Sequence, residues 1–254
     1  MLLCIDIGNT NITLGLYEGE RPGPRWRLAS NHERMPDEFG LDVQGLLTYA
    51  GIPFGEVKGA AIASVVPPLT GRWVEVCQRI LKCEPLVVDA GVRTGVKVRY
   101  EDPHAVGADR VVDAAAAYRL YGGPACIVDF GTATTFDAVS STGDYLGGAL
   151  APGIGIAADA LFERTAKLPR VEIARPPSPI GRNTVHSLQS GLLFGYVGLV
   201  EGLVTRFRAE LGEGMRVIGT GGLVELIASE TKVIQFVAPW LTLDGLRMIY
   251  DMNH

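Results

Sequence analysis

Several features that commonly announce a function are missing from this chain. Its four cysteines, Cys4, Cys77, Cys83 and Cys126, form no C-x-x-C pair. That excludes the usual zinc frameworks and leaves reduced, mostly buried thiols as the expectation. No apolar run approaches the roughly 20 residues of a membrane span before glycine or charge interrupts it, so no membrane partner is expected. Basic charge is not in excess: 23 Lys and Arg stand against 28 Asp and Glu, a formal charge of −5. This argues against nonspecific nucleic-acid binding. Met1-Leu2-Leu3-Cys4-Ile5-Asp6 lacks a basic leader region and reads as a first strand rather than a signal peptide. The P-loop pattern GxxxxGK[ST] does not occur either, so phosphate would have to be held by another device.

What is present is an ordinary globular balance over 254 residues, 47% hydrophobic and 20% charged, enough for one or two cored domains. Hydrophobic periodicity alternates between strand and helix. In the first half it predicts strands over 2–7, 12–17, 25–29, 60–65 and 85–88, and helices over 36–49 and 69–81. Glu18-Gly19-Glu20 and Pro22-Gly23-Pro24 read as breaks. In the second half it predicts a helix over 106–120 and strands over 125–130, 134–139 and 145–150, the last entered through a turn at 141–144. Helices over 154–167 and 184–211 follow. A strand at 216–218, a helix at 223–229, a strand at 233–236 and a final helix from Pro239 complete the chain. The loop is clearest at Arg175-Pro176-Pro177-Ser178-Pro179.

The most informative pattern is an internal repeat. Ile5-Asp6-Ile7-Gly8-Asn9-Thr10 and Val128-Asp129-Phe130-Gly131-Thr132-Ala133 each end a strand, open a hairpin, and are followed by a second polar glycine turn. Their offset is 129 − 6 = 123 residues, close to half the chain. Two α/β lobes facing each other across a central cleft are therefore expected. Glycine after a strand lets the backbone approach a ligand, and neighbouring Asn or Thr supplies short donors, a combination suited to phosphate oxygens. Each aspartate stands where a cation would need a carboxylate. A third glycine turn, Gly219-Thr220-Gly221-Gly222, is expected between a strand and a helix, where it could approach a nucleoside.

Together, Asp6-Ile7-Gly8-Asn9-Thr10-Asn11, Asp129-Phe130-Gly131-Thr132-Ala133-Thr134 and Gly219-Thr220-Gly221-Gly222 resemble the two phosphate motifs and the adenosine motif of the acetate kinase–sugar kinase–Hsp70–actin superfamily. Gly107-Ala108-Asp109-Arg110, the run from Gly147 to Gly153, and Gly181-Arg182-Asn183-Thr184 narrow the resemblance to the type III pantothenate kinases. The resemblance implies two duplicated actin-like, ribonuclease H-like lobes, each a mixed β-sheet flanked by helices. They would cover 1–121 and 122–254, with the final helix able to pack back on the first lobe. It implies ATP-dependent phosphorylation of pantothenate, the first step toward coenzyme A, by a cytoplasmic homodimer that uses Mg²⁺ and a monovalent cation, K⁺ or ammonium.

Residue by residue, the resemblance makes Asp109 the proton acceptor. Asp6 would hold Mg²⁺ through water, and Asp6, Ile7, Gly8, Asn9, Thr10, Asn11, Ile12 and Thr13 would wrap ATP with Thr132, Gly221 and Gly222. Asp129 would bind the monovalent cation. Tyr100, Gly107, Ala108, Asp109, Arg110 and Thr184 would contact pantothenate, with Thr184 contributed by the partner subunit and Arg110 facing the substrate carboxylate. Each role has a plainer counterpart: Asp109 as a helix N-terminal acid, Thr184 as a helix N-cap, Tyr100 as a surface residue. His104 is not assigned a role. Asp113 replaces an asparagine usual in the family, one turn beyond Asp109. Two rival functions are a kinase for another small hydroxylated metabolite and a noncatalytic nucleotide-binding accessory factor for transcription.

Overall fold

The computed structural model describes residues 1–254. The chain divides into two compact units, one of residues 1–96, 101–116 and 242–254, the other of 97–100 and 117–241. In chain order the first half contains β1 (Leu2–Ile7), β2 (Asn11–Glu18), β3 (Arg21–Ala29), α1 (Pro36–Tyr49), β4 (Gly59–Ser64), α2 (Pro67–Glu75), β5 (Pro85–Val87) and α3 (Ala108–Tyr121). After it come β6 (Ala125–Phe130), β7 (Ala133–Val139), β8 (Tyr145–Pro152), α4 (Ile154–Arg164), α5 (Thr184–Leu211), β9 (Arg216–Gly221), α6 (Val224–Ala228), β10 (Phe236–Val237) and α7 (Leu241–Asn253).

In the first unit the sheet order is β3-β2-β1-β4-β5. β1 pairs antiparallel with β2 and parallel with β4. Strand alternation sends Leu3, Ile5 and Ile7 into a core with Phe39 and Val43 of α1 and Leu69 and Trp73 of α2. Each such buried side chain contributes about 1.5–3 kcal/mol of transfer free energy. The other face is covered by α7, which approaches closely because the sheet carries glycines there. A Cβ on Gly15 would lie 2.7 Å from Leu243 Cδ1, and one on Gly59 would lie 2.3 Å from the Tyr250 hydroxyl. Beneath α7, Tyr17 donates its hydroxyl to Asp244 (2.6 Å). Burial, then that bond, pushes the Tyr17 phenol well above its ordinary range.

The second unit repeats the plan. Its sheet order is β10-β9-β6-β7-β8, the first order read from the other end. β6 pairs antiparallel with β7 and parallel with β9. β1 and β6 have the same length and the same burial pattern, with the aspartate half-buried between buried neighbours. By length and composition alone, α5 is apolar enough to cross a membrane. Here it packs Leu192, Leu193, Val197, Val200 and Val204 against β6, β7 and β9 in the core.

Several expected boundaries shift, each for a physical reason. Pro22-Gly23-Pro24 does not break the chain but lies inside β3, an edge strand whose outer side needs no amide donors. The helix expected over 69–81 begins at Pro67 and becomes a π-helical turn at Val76–Leu81. That turn closes through left-handed Lys82 and a bond from the Cys83 amide to the Cys77 carbonyl (3.0 Å). α4 stops at Arg164 rather than 167. The strand expected over 233–236 is the two-residue β10, because Val233 and Ile234 turn into the core before pairing begins. All four cysteines are free, three of them buried and Cys83 half-buried.

Candidate functional site

In the first unit the chain leaves β1 at Ile7, turns through Gly8, Asn9 and Thr10, and returns as β2. The Gly8 amide donates to the Asn11 carbonyl (3.0 Å), and Ser30, just past β3, ties the turn down through its hydroxyl to the Gly8 carbonyl (2.6 Å) and its amide to the Thr10 carbonyl (2.9 Å). Asn9, Thr10 and Asn11 are exposed, whereas Ile12 is buried and Thr13 half-buried. The turn thus presents amides and short polar side chains to solvent from a rigid base. Asp6 stands on the α7 face, opposite Thr13 on β2 and Ala63 on β4.

Asp109 comes to this same end of the sheet. The Val65 amide, just past β4, donates to the Ile7 carbonyl (3.1 Å), and a Cβ on Gly107 would sit 3.1 Å from Val65 Cγ1. The same Cβ would lie 2.5 Å from Asp109 Oδ1, so glycine at 107 leaves room for the carboxylate to fold back. Asp109 Oδ1 accepts from the Arg110 amide (2.8 Å) in the first turn of α3. There the helix dipole favours negative charge, and the capping role and a chemical role are compatible. α3 itself is seated by α7: a Cβ on Gly245 would lie 2.7 Å from the Val112 carbonyl, an approach only glycine permits. Asp113 of α3 is buried, and His104 is exposed in a short 3₁₀ turn.

In the second unit Asp129 has tighter surroundings. Its Oδ1 would lie 2.3 Å from a Cβ on Gly221, whose φ is +90°, and its Oδ2 3.2 Å from one on Gly131. It stands opposite Thr135 on β7 and Thr220 on β9, both buried. The turn is closed by the Gly131 amide donating to the Ala133 carbonyl (3.1 Å), leaving Thr132 exposed. The Gly153 amide, at the N-terminus of α4, donates to the Thr132 carbonyl (3.1 Å). Tyr196 of α5 steadies that junction by donating to the Pro152 carbonyl (2.7 Å), and burial raises its ionisation above the ordinary phenol value. The third glycine segment does not follow β9 as expected but largely belongs to it: Gly219, Thr220 and Gly221 are strand residues, and only Gly222 lies beyond.

Tyr100 is exposed on the edge of the second unit, its ring 3.3 Å from where a Cβ of Gly147 would be. The segment 97–100 is held there by exchanges with Tyr145: the Arg99 amide donates to its carbonyl (2.8 Å), and its amide donates to the Lys97 carbonyl (2.9 Å). Thr184 is the exposed first residue of α5. It is not the N-cap, which is Asn183, whose side chain accepts from the His186 amide (2.9 Å).

Ser30, Thr135 and Asp137 were not singled out in the sequence. Their available signal was weak: polar residues at period two within Thr135-Phe136-Asp137, and a serine ending a strand. No group of three or more His, Cys, Asp or Glu side chains is assembled to hold a metal. A divalent ion here would keep most of its shell as water and phosphate oxygen. Mg²⁺ tolerates that arrangement well, so a lone carboxylate such as Asp6 fits it.

A family model described as type III pantothenate kinase matches residues 2–206. Proteins named type III pantothenate kinase from Moorella thermoacetica and Roseiflexus castenholzii are each 53% identical over 253 residues, covering 100% of this chain and 100% and 99% of theirs. The chain belongs to the type III pantothenate kinase family. It is also 50% identical to the Myxococcus xanthus member over 254 residues, covering 100% of this chain and 99% of that one. Among solved structures it is similar to the ethanolamine utilization protein EutJ from Carboxydothermus hydrogenoformans (TM-score 0.57, 12% identity, 97% and 89% covered). It is similar in the same way to the ROK hexokinase from Thermus thermophilus (TM-score 0.50, 13% identity, 100% and 99% covered). These two carry the fold alone. As members of a kinase family, such chains use ATP with Mg²⁺.

Proposed function

We propose that the chain transfers the γ-phosphoryl group of ATP to the primary hydroxyl of pantothenate, giving 4′-phosphopantothenate for coenzyme A synthesis, with Asp109 as proton acceptor. Beside family membership, the observation that carries this reading is the placement of Asp109. Gly107 folds its carboxylate back at the first turn of α3, at the sheet end where β1 delivers Asp6 and the Gly8–Asn11 turn.

An aliphatic hydroxyl is too weak an acid for a carboxylate to deprotonate in advance. In a loose phosphoryl-transfer transition state it need not be: Asp109 orients the hydroxyl and takes its proton late, so positioning supplies most of the effect. Asp6 holds Mg²⁺ through water while Ile7, Gly8, Asn9, Thr10, Asn11, Ile12 and Thr13 wrap the phosphates. When bound, Mg²⁺ would supply positive charge against the negative charge that develops on the phosphate oxygens, with Asp6 as the residue that would hold it. Thr132 contacts the phosphates, and Gly221 and Gly222 let backbone lie against the nucleoside. Asp129 binds a monovalent cation, K⁺ or ammonium; the glycines beside it and the threonines flanking it support an ion held by oxygen. Arg110 offers forked donors to the pantothenate carboxylate, with Tyr100, Gly107 and Ala108 completing its contacts.

The protein works as a cytoplasmic homodimer in which Thr184 reaches the partner's substrate. In support, the second unit exposes Leu146, Leu150, Ile156, Leu161, Phe162 and Val185, an apolar complement that a lone subunit would leave in water. The deciding experiment measures ADP formation with ATP, Mg²⁺ and pantothenate, in K⁺ and in Na⁺, for the native chain and Asp109→Asn. Turnover indifferent to pantothenate and to Asp109 overturns the reading. Nucleotide binding without turnover would point instead to an accessory factor.

A further inference from the structure

Asp137 is a carboxylate sealed inside the second unit, 1% exposed on β7. Removing such a group from water is costly, and an apolar residue of similar size would fill the space without that penalty. Its hydrogen bonds indicate what it does there. Oδ1 accepts from the Tyr145 hydroxyl (2.9 Å) and Oδ2 from the Thr135 hydroxyl (2.8 Å). Thr135 is the direct ladder partner of Asp129, on the same face of the sheet. Opposed residues in an antiparallel pair bring their Cβ atoms to about 4.5–5.5 Å of each other, so the Thr135 hydroxyl belongs to the immediate surroundings of the Asp129 carboxylate.

A threonine hydroxyl has one proton and two lone pairs. Where that proton is committed to Asp137, the oxygen meets the Asp129 surroundings as an acceptor. With the proton turned the other way, the same hydroxyl would oppose a cation. We propose that Asp137 is a positioning residue: by taking the Thr135 proton it fixes that hydroxyl as an oxygen donor to a monovalent cation held by Asp129. Thr220, buried on the other side of Asp129, supplies a second hydroxyl neighbour. This inference rests on Asp129 binding the cation, and it explains the buried carboxylate that the phosphate turns alone do not require.

The test compares native protein with Thr135→Val, Thr135→Ser, Asp137→Asn, Tyr145→Phe and Asp129→Asn. Two quantities are read: the K⁺ concentration for half-maximal activity, and the K⁺-dependent rise in melting temperature with ADP and Mg²⁺ but no pantothenate, where nothing turns over. Losing an oriented ligand is expected to raise the K⁺ requirement by about tenfold in Thr135→Val and Asp137→Asn, with Thr135→Ser restoring it. Tyr145→Phe touches the same carboxylate away from Thr135, so it is expected to lower the melting temperature and leave the K⁺ requirement unchanged. A merely structural role for Asp137 predicts that Tyr145→Phe and Asp137→Asn behave alike, which overturns the proposal. So does a native K⁺ requirement in Asp137→Asn. Should Asp137→Asn not fold, Thr135→Val against Thr135→Ser decides, and equal K⁺ requirements in those two overturn it. If the native protein responds to K⁺ and Asp129→Asn abolishes the response while Thr135→Val does not alter it, this inference fails alone. If the native protein ignores K⁺ in both readouts, the cation assignment to Asp129 fails with it.

Discussion

The turns after β1 and β6 begin from strands of equal length, burial and pairing, yet they build different surroundings for their aspartates. Four residues, Gly8 to Asn11, separate the paired Ile7 and Ile12. Three, Gly131 to Ala133, separate Phe130 and Thr134. Asp6 has Thr13 and Ala63 as ladder neighbours, and the turn beside it is open to solvent. Asp129 has two buried threonines and two glycines crowding its carboxylate. A carboxylate with room beside it suits a strongly hydrated ion carried through water, and one flanked by buried hydroxyls suits a larger ion that takes protein oxygens in place of water. On the proposed assignment the duplicated backbone serves two different ions, and the side chains of neighbouring strands make the difference.

Asp109 lies outside the repeat, so its removal should cut through the comparison with the largest effect. Asp109→Asn is expected to lower kcat by on the order of 10²–10⁴-fold, whichever ion is varied, with circular dichroism unchanged. Steady-state ADP release checks this.

The two aspartates themselves should separate by ion. Asp6→Asn is expected to raise the Mg²⁺ requirement, and Asp129→Asn the K⁺ requirement, each by about 10–100-fold and with little crossover. Activity titrations in both metals check it, and equal sensitivity of both variants to both ions would erase the distinction.

Backbone crowding should differ in the same sense. Gly221→Ala forces a side chain into a left-handed conformation and against Asp129 Oδ1, and is expected to cost about 2 kcal/mol or more. At Gly8 the added Cβ meets only the Asn11 carbonyl at 3.1 Å, so Gly8→Ala should cost less than about 1 kcal/mol. Urea-denaturation midpoints measure both.

A smaller effect tests how firmly the first unit is closed by α7. Tyr17→Phe removes the bond to Asp244 and is expected to cost about 1 kcal/mol. Because burial and Asp244 raise the folded-state Tyr17 pKa, the native state keeps that proton while the unfolded chain releases it above its ordinary value of 10.0. Stability from this group is therefore whole below that pH and falls as pH rises beyond it. The Phe variant should lose that part of the alkaline decline in melting temperature.

Much of this is legible in the sequence. The strands over 2–7 and 125–130, the helices over 36–49 and 184–211, and the 123-residue offset all follow from rules that act across a few residues: alternation, helical period, and glycine after a strand. The glycine turns and the Gly107–Arg110 segment were visible for the same reason. Pro22 and Pro24 misled because proline is judged by its missing amide, and only strand order shows that the amide was not needed. Asn183, not Thr184, caps α5, a one-residue choice set by which side chain reaches the His186 amide.

The sequence by itself determined the two-fold repeat and the positions of Asp6, Asp109 and Asp129, because each is written in a contiguous stretch. Tertiary structure decided what surrounds them. Thr135 meets Asp129 across the β6–β7 hairpin, Thr220 meets it only through a parallel pairing from far along the chain, and Asp137 becomes a sealed acceptor only once Tyr145 and Thr135 close over it. Burial and long-range register depend on the whole folded sheet, and no local pattern encodes them.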